Sequence, residues 1–72
     1  MGNVLLKRGS ESNARDKLLE EIQLVKIQLQ NANTRFEQTS DSDLVEAAIY
    51  EIESLKARYR YLVKSIKVIE TT

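Results

Sequence analysis

Cysteine, histidine, tryptophan and proline are all absent from this 72-residue sequence, and its two glycines, Gly2 and Gly9, both fall within the first ten positions. Each absence excludes something. Without cysteine no disulfide can staple the fold and no thiolate can attack a substrate, and thiols give no hint of a redox compartment. Without histidine the chain lacks the usual general base near neutral pH, the usual zinc ligand and every Ser-His or Cys-His arrangement. There is no Gly-rich phosphate loop and no Gly-x-Ser-x-Gly elbow. With no proline and no later glycine, nothing breaks a helix from Ser10 onward. Long hydrophobic runs are missing too. The cluster Val4-Leu5-Leu6, followed by Lys7 and Arg8, is far too short for a signal-peptide core or a membrane span. Gly2 does not open a myristoylation motif, because Leu6 stands where that motif wants Ser or Thr.

What remains is a balanced chain. Hydrophobic residues make up 42 %, charged residues 31 %, and eleven basic side chains offset eleven acidic ones. That balance places it among soluble folded proteins and outside the disordered and polycationic classes. The length allows one domain at most, near the lower limit of what one core can hold together. Paired acids such as Asp41 and Asp43, or Glu20 and Glu21, lack the remainder of a metal or acid–base site. No calcium-loop glycine follows Asp41 and no Glu-x-x-His occurs, so they read as helix caps and solvated charges. The expectation is a non-enzymatic protein with no catalytic residue, no metal, no cofactor and no small-molecule substrate.

Two apolar stripes carry the fold. Leu18, Ile22, Val25, Leu29, Ala32 and Phe36 recur at spacings of 4, 3, 4, 3 and 4, a coiled-coil seam. Val45, Ala48, Ile52, Leu55, Tyr59, Leu62, Ile66 and Ile69 form a second seam of the same kind. Between them lies the polar stretch Gln38-Thr39-Ser40-Asp41-Ser42-Asp43. There Asp43 with Glu46 three residues later reads as a capping box, and Ser40 or Ser42 are rival caps. The pattern predicts an all-α fold: a flexible leader over 1–11, then a hairpin over 12–72 with a helix over about 12–37, a loop over about 38–42 and a helix over about 43–70. So short a loop returns the second helix antiparallel to the first.

The two seams close on each other in a constant register, which pairs Phe36 with Val45, Ala32 with Ala48, Leu29 with Ile52, Val25 with Leu55, Ile22 with Tyr59 and Leu18 with Leu62. At the flanks, Leu19 falls near Val63 and widens the core, Glu21 near Arg58 as an exposed ion pair, and Lys26 near Lys56. Beyond Leu18 this pairing sets Ile66 against Arg15 and Ile69 against Glu11. Both isoleucines are then left for the leader's Val4-Leu5-Leu6, or another chain, to cover, or the last turn frays.

A single seam leaves a two-helix unit weak, since most helical stability comes from packing an apolar face. Outside the second seam, Ala47, Tyr50, Ser54, Ala57, Tyr61 and Val68 follow one another at near-helical spacing, and Leu24 and Ile27 point outward from the first helix. This extra stripe reads as an interface, with Leu24, Ile27, Tyr50, Ala57, Tyr61, Ile66, Val68 and Ile69 as its candidate residues. The expected partner is a second copy, pairing into a four-helix bundle, or another protein. The bland alternative is an ordinary solvated face, alanine being the best helix former.

Lys56, Arg58, Arg60, Lys64 and Lys67, interleaved with Tyr59 and Tyr61, offer a different reading as a nucleic-acid contact. Against it, cations near a helix carboxyl end complement the macrodipole, and the antiparallel turn brings Glu11, Asp16, Glu20 and Glu21 beside them. Peripheral membrane attachment through Val4 to Arg8 is weaker still, because three apolar residues and two cations bind a bilayer poorly.

Three runs are more particular than a generic heptad: Lys17-Leu18-Leu19-Glu20-Glu21-Ile22, then Asp41 through Glu51, then Ala57-Arg58-Tyr59-Arg60-Tyr61-Leu62-Val63-Lys64-Ser65-Ile66-Lys67. Together they resemble the YaaL-like family of short bacterial proteins, found chiefly in Gram-positive bacteria. The acidic linker into Leu44 and the Arg-Tyr-x-Tyr-Leu cluster at 58–62 carry most of the likeness. Members often have proline in that linker and alanine where Ile66 stands. The resemblance implies a helical, cytoplasmic bacterial protein and supplies no mechanism.

Overall fold

Helix is the only regular structure open to a chain whose apolar residues recur every three or four positions, with no breaker between Ser10 and the carboxyl end. The computed structural model describes the backbone over residues 2–71 and the side-chain surroundings over 13–71. Two helices are present: α1, Gly2–Gln38, and α2, Ser42–Thr71. They pack along each other as a hairpin. The predicted all-α hairpin is therefore the fold, with α2 bounded within a residue of expectation at each end. Helical backbone in α1 begins at Gly2, ten residues before the expected start. The side chains of Val4, Leu5 and Leu6, proposed as a cover for the far end, lie outside the described residues.

The turn is three residues long. The Thr39 N–H donates to the Arg35 carbonyl at 3.1 Å, continuing the α1 ladder one residue past the helix. No described residue has a positive φ, so the chain turns without the left-handed cap that a glycine would supply. Asp41 starts α2. Its Oδ1 accepts from the N–H of Asp43 at 2.9 Å and of Leu44 at 3.2 Å, and its carbonyl accepts from the N–H of Val45 at 2.9 Å. The cap expected at Asp43 is thus displaced by two residues, and with Leu44 three positions after Asp41 no capping box forms. Asp43 lies inside the first turn, where its own N–H needs an acceptor and its charge still favours the helix amino end.

Both seams face inward. Ile22, Val25, Ala32, Ile52, Leu62 and Ile66 are buried, and among the described residues no polar side chain is. Ile22, Val25, Leu62 and Ile66 form one cluster, flanked by half-buried Leu18, Leu29, Leu55, Tyr59 and Val63. Phe36 is the exception in the seam at 38 % exposed. It lies in the last turn of α1, near the turn of the hairpin. Leu19 also stays largely exposed instead of widening the core with Val63.

Ile66 is the main correction to the sequence reading. It is 9 % exposed inside the core, with no second chain present, so it leaves the candidate interface; Ile69 beside it is half-buried in the same seam. The reason is the lean of helical side chains. Each points toward the amino end of its own helix, so in an antiparallel pair the two sets lean toward each other along the axis. A side chain on α1 therefore meets one about a turn further along α2 than the level pairing implies. The two cross-helix ion pairs among the described residues show this offset: Arg15 Nη2 reaches Glu70 Oε1 at 3.3 Å, and Arg35 pairs with Glu51. With the same offset Ile66 falls against Leu18 and Ile22.

Candidate functional site

The hairpin measures 60 × 19 × 13 Å, a slab one helix thick. Every side chain outside the seam therefore reaches one of two broad sides or one of two outer edges. On one broad side, three shallow hollows run end to end. The first is lined by Arg35, Gln38, Thr39, Leu44, Ala47, Ala48 and Glu51; the second by Gln28, Asn31, Arg35, Glu51 and Leu55. The third is lined by Glu21, Leu24, Val25, Gln28, Ser54, Leu55 and Arg58. They share Arg35, Glu51, Gln28 and Leu55, and so make one groove. Its floor is the seam itself, seen at Val25, Ala48 and Leu55. Its banks are the positions flanking the seam on each helix.

Charges of both signs line the groove. Arg35 and Glu51 bridge it near the turn. Glu21 and Arg58 line it further down, as expected from the sequence, although the ion pair predicted between them is not among the cross-helix pairs formed.

The candidate interface residues do not share one patch. Leu24, 54 % exposed, stands on the α1 bank of the groove. Tyr61, 67 % exposed, continues the α2 bank one step beyond Arg58 at helical spacing. Ile27, Tyr50 and Ala57 are also exposed, but lie opposite the seam on the outer edges of the slab. Val68 is exposed near the carboxyl end of α2. Sequence reasoning passed over Gln28, Arg35, Glu51 and Ser54. Their signal was their position beside the seam on both helices, visible only once the two flanks are known to lie on the same side.

The basic run divides as well. At about 100° per residue, Lys56, Arg60, Lys64 and Lys67 fall within about 80° of one another, while Arg58 falls on the far side with the groove. Lys56 Nζ lies 3.7 Å from Glu53 Oε1.

Among the described residues no three His, Cys, Asp or Glu side chains come close enough to hold a metal ion, and no helix is long and apolar enough to cross a membrane. What the geometry presents is a helical hairpin with an apolar-floored, charge-banked side open to solvent. The chain belongs to the family described as a protein of unknown function, DUF2508, whose model matches residues 5–72. No curated protein and no solved structure matches it.

Proposed function

We propose that this protein is a small, non-enzymatic helical interaction module that works by docking its exposed sides on another protein surface. The observation that carries this reading is the amount of surface left uncovered. Among the described residues, nine large hydrophobic side chains are more than a third exposed, from Phe36 at 38 % to Tyr50 and Tyr61 at 67 %.

Site-specific photo-crosslinking in living cells tests the reading. A photoreactive residue in place of Leu24 or Tyr61 is expected to give covalent protein adducts, whereas one in place of Gln30, on a polar part of α1, is not. If neither apolar position yields an adduct, these sides are ordinary solvated surface and the reading is overturned.

The Arg58-Tyr59-x-Tyr61-Leu62 cluster supports placing the chain among the YaaL-like proteins, a naming compatible with the family match. The reading of a cytoplasmic bacterial location rests on that resemblance. A second function, nucleic-acid adaptor, draws support from the stripe of Lys56, Arg60, Lys64 and Lys67. Anisotropy titration at two salt concentrations separates the two functions, because binding to phosphates weakens steeply with salt.

A further inference from the structure

We propose that the grooved side of the hairpin binds a second copy of this chain, face to face, about a two-fold axis passing Gln28 and Ser54, completing an antiparallel four-helix bundle. This rests on the interaction-module reading and names its partner. A two-fold interface uses the same patch twice, so that residue i meets j and j meets i. A patch suited to it must therefore match itself when reversed along its length.

Both banks of the groove do. Reversal of the α1 bank about Gln28 brings Glu21 onto the partner's Arg35, and Arg35 onto the partner's Glu21. Reversal of the α2 bank about Ser54 brings Glu51 beside the partner's Arg58 and sets Tyr61 over the partner's Ala47, a large exposed ring against a small residue. The two reversal centres were found separately, one on each helix, yet Gln28 and Ser54 line the same hollow. One axis therefore serves both banks, and it places four unlike charge pairs around a centre of small and amide side chains. Nothing in the folding of a single hairpin requires that coincidence. Unlike charges meeting across an interface favour this register and disfavour others.

A two-fold axis running along the helices is the rival arrangement on the same side. It also opposes unlike charges, Glu21 against the partner's Arg58 and Arg35 against the partner's Glu51. But it sets Tyr61 near the partner's Glu21 and Ala47 near the partner's Arg35, so that no ring meets a small residue. The transverse axis satisfies both charge and shape.

Single-cysteine cross-linking and charge exchange test the proposal, and the absence of native cysteine makes the first clean. The wild-type protein is expected to be a dimer by light scattering at about 100 μM and to dissociate on dilution. An S54C variant oxidised at that concentration is expected to form a disulfide-linked dimer, because the two copies of this position flank the axis, whereas an E20C variant is not. Separately, E51R and R58E variants, each checked for helicity by circular dichroism, are expected to dissociate at least about tenfold more readily than wild type. An equimolar mixture of E51R and R58E restores the dimer, because each chain then supplies the charge the other has lost.

A wild-type protein that stays monomeric at about 100 μM overturns the proposal while leaving the interaction-module reading to its photo-crosslinking test. A wild-type dimer that neither cross-links through the S54C variant nor recovers on mixing overturns the transverse axis, and leaves self-association standing through the rival axis or another surface. The rival axis gives this same pair of negatives, since it sets Ser54 opposite the partner's Gln28.

Discussion

Asp41 shows how one side chain fixes where a helix starts. Its carboxylate satisfies two N–H groups that the first turn of α2 cannot satisfy internally, and it does so at the positive end of the helix dipole. Asp41→Ala is expected to cost about 1 kcal/mol in urea denaturation, and Asp41→Asn to recover most of it. The core is less forgiving. Leu62 is 2 % exposed at the centre of the cluster, so Leu62→Ala is expected to cost about 2 to 5 kcal/mol. In a chain with so few buried residues that loss abolishes the cooperative melt followed by circular dichroism. Arg35 and Glu51 are each about half exposed and bridge the two helices at the surface. Removing either charge is expected to lower the stability of the single hairpin by no more than about 1 kcal/mol. An effect on dimer mass much larger than that would come from the second role argued for this pair. Asp41 was within reach of sequence reasoning, which found the acidic linker but chose Asp43. Several residues there are good caps, and only the path of the turn decides which carboxylate reaches the free N–H groups.

At the scale of the element, α1 and α2 depend on each other. Each buries one stripe and exposes the rest of its circumference, so neither has a reason to persist alone beyond its intrinsic propensity. A peptide covering 42–72 is expected to lose most of its helical circular dichroism signal, and to regain part of it on adding a peptide covering 13–38. If the isolated peptide keeps full helicity, propensity and i,i+4 charge pairs stabilise α2, and packing against α1 is secondary. The periodicity of the seams made both helices legible, and every seam residue of α2 is buried or half-buried, Ile66 and Ile69 included. What periodicity did not convey was direction. It treats side chains as if they stood perpendicular to the axis, and so it left Ile66 unpartnered when the lean toward each amino end brings Leu18 and Ile22 over it.

For the molecule as a whole, thickness governs stability. A slab 13 Å through has no interior beyond a single seam, and its two broad sides face water unless something covers them. If a second copy covers the grooved side, the melting temperature falls on dilution, since folding and association are then one equilibrium. Differential scanning calorimetry across a hundredfold range of concentration would read this directly. A melting temperature independent of concentration would mean that the lone hairpin suffices, and that the groove awaits a different protein or none.

The sequence by itself determined the helical hairpin. The repeat of apolar residues, the absence of breakers and the polar linker leave no other way to bury the seams, and those are local properties that a linear pattern records in full. The tertiary structure decided which flanking residues share a side. Gln28 and Ser54 are 26 positions apart and carry no mark that relates them. They line one hollow because antiparallel packing and the lean of the side chains set two distant stretches of chain side by side, and only there does the charge order of one bank acquire a meaning for the other.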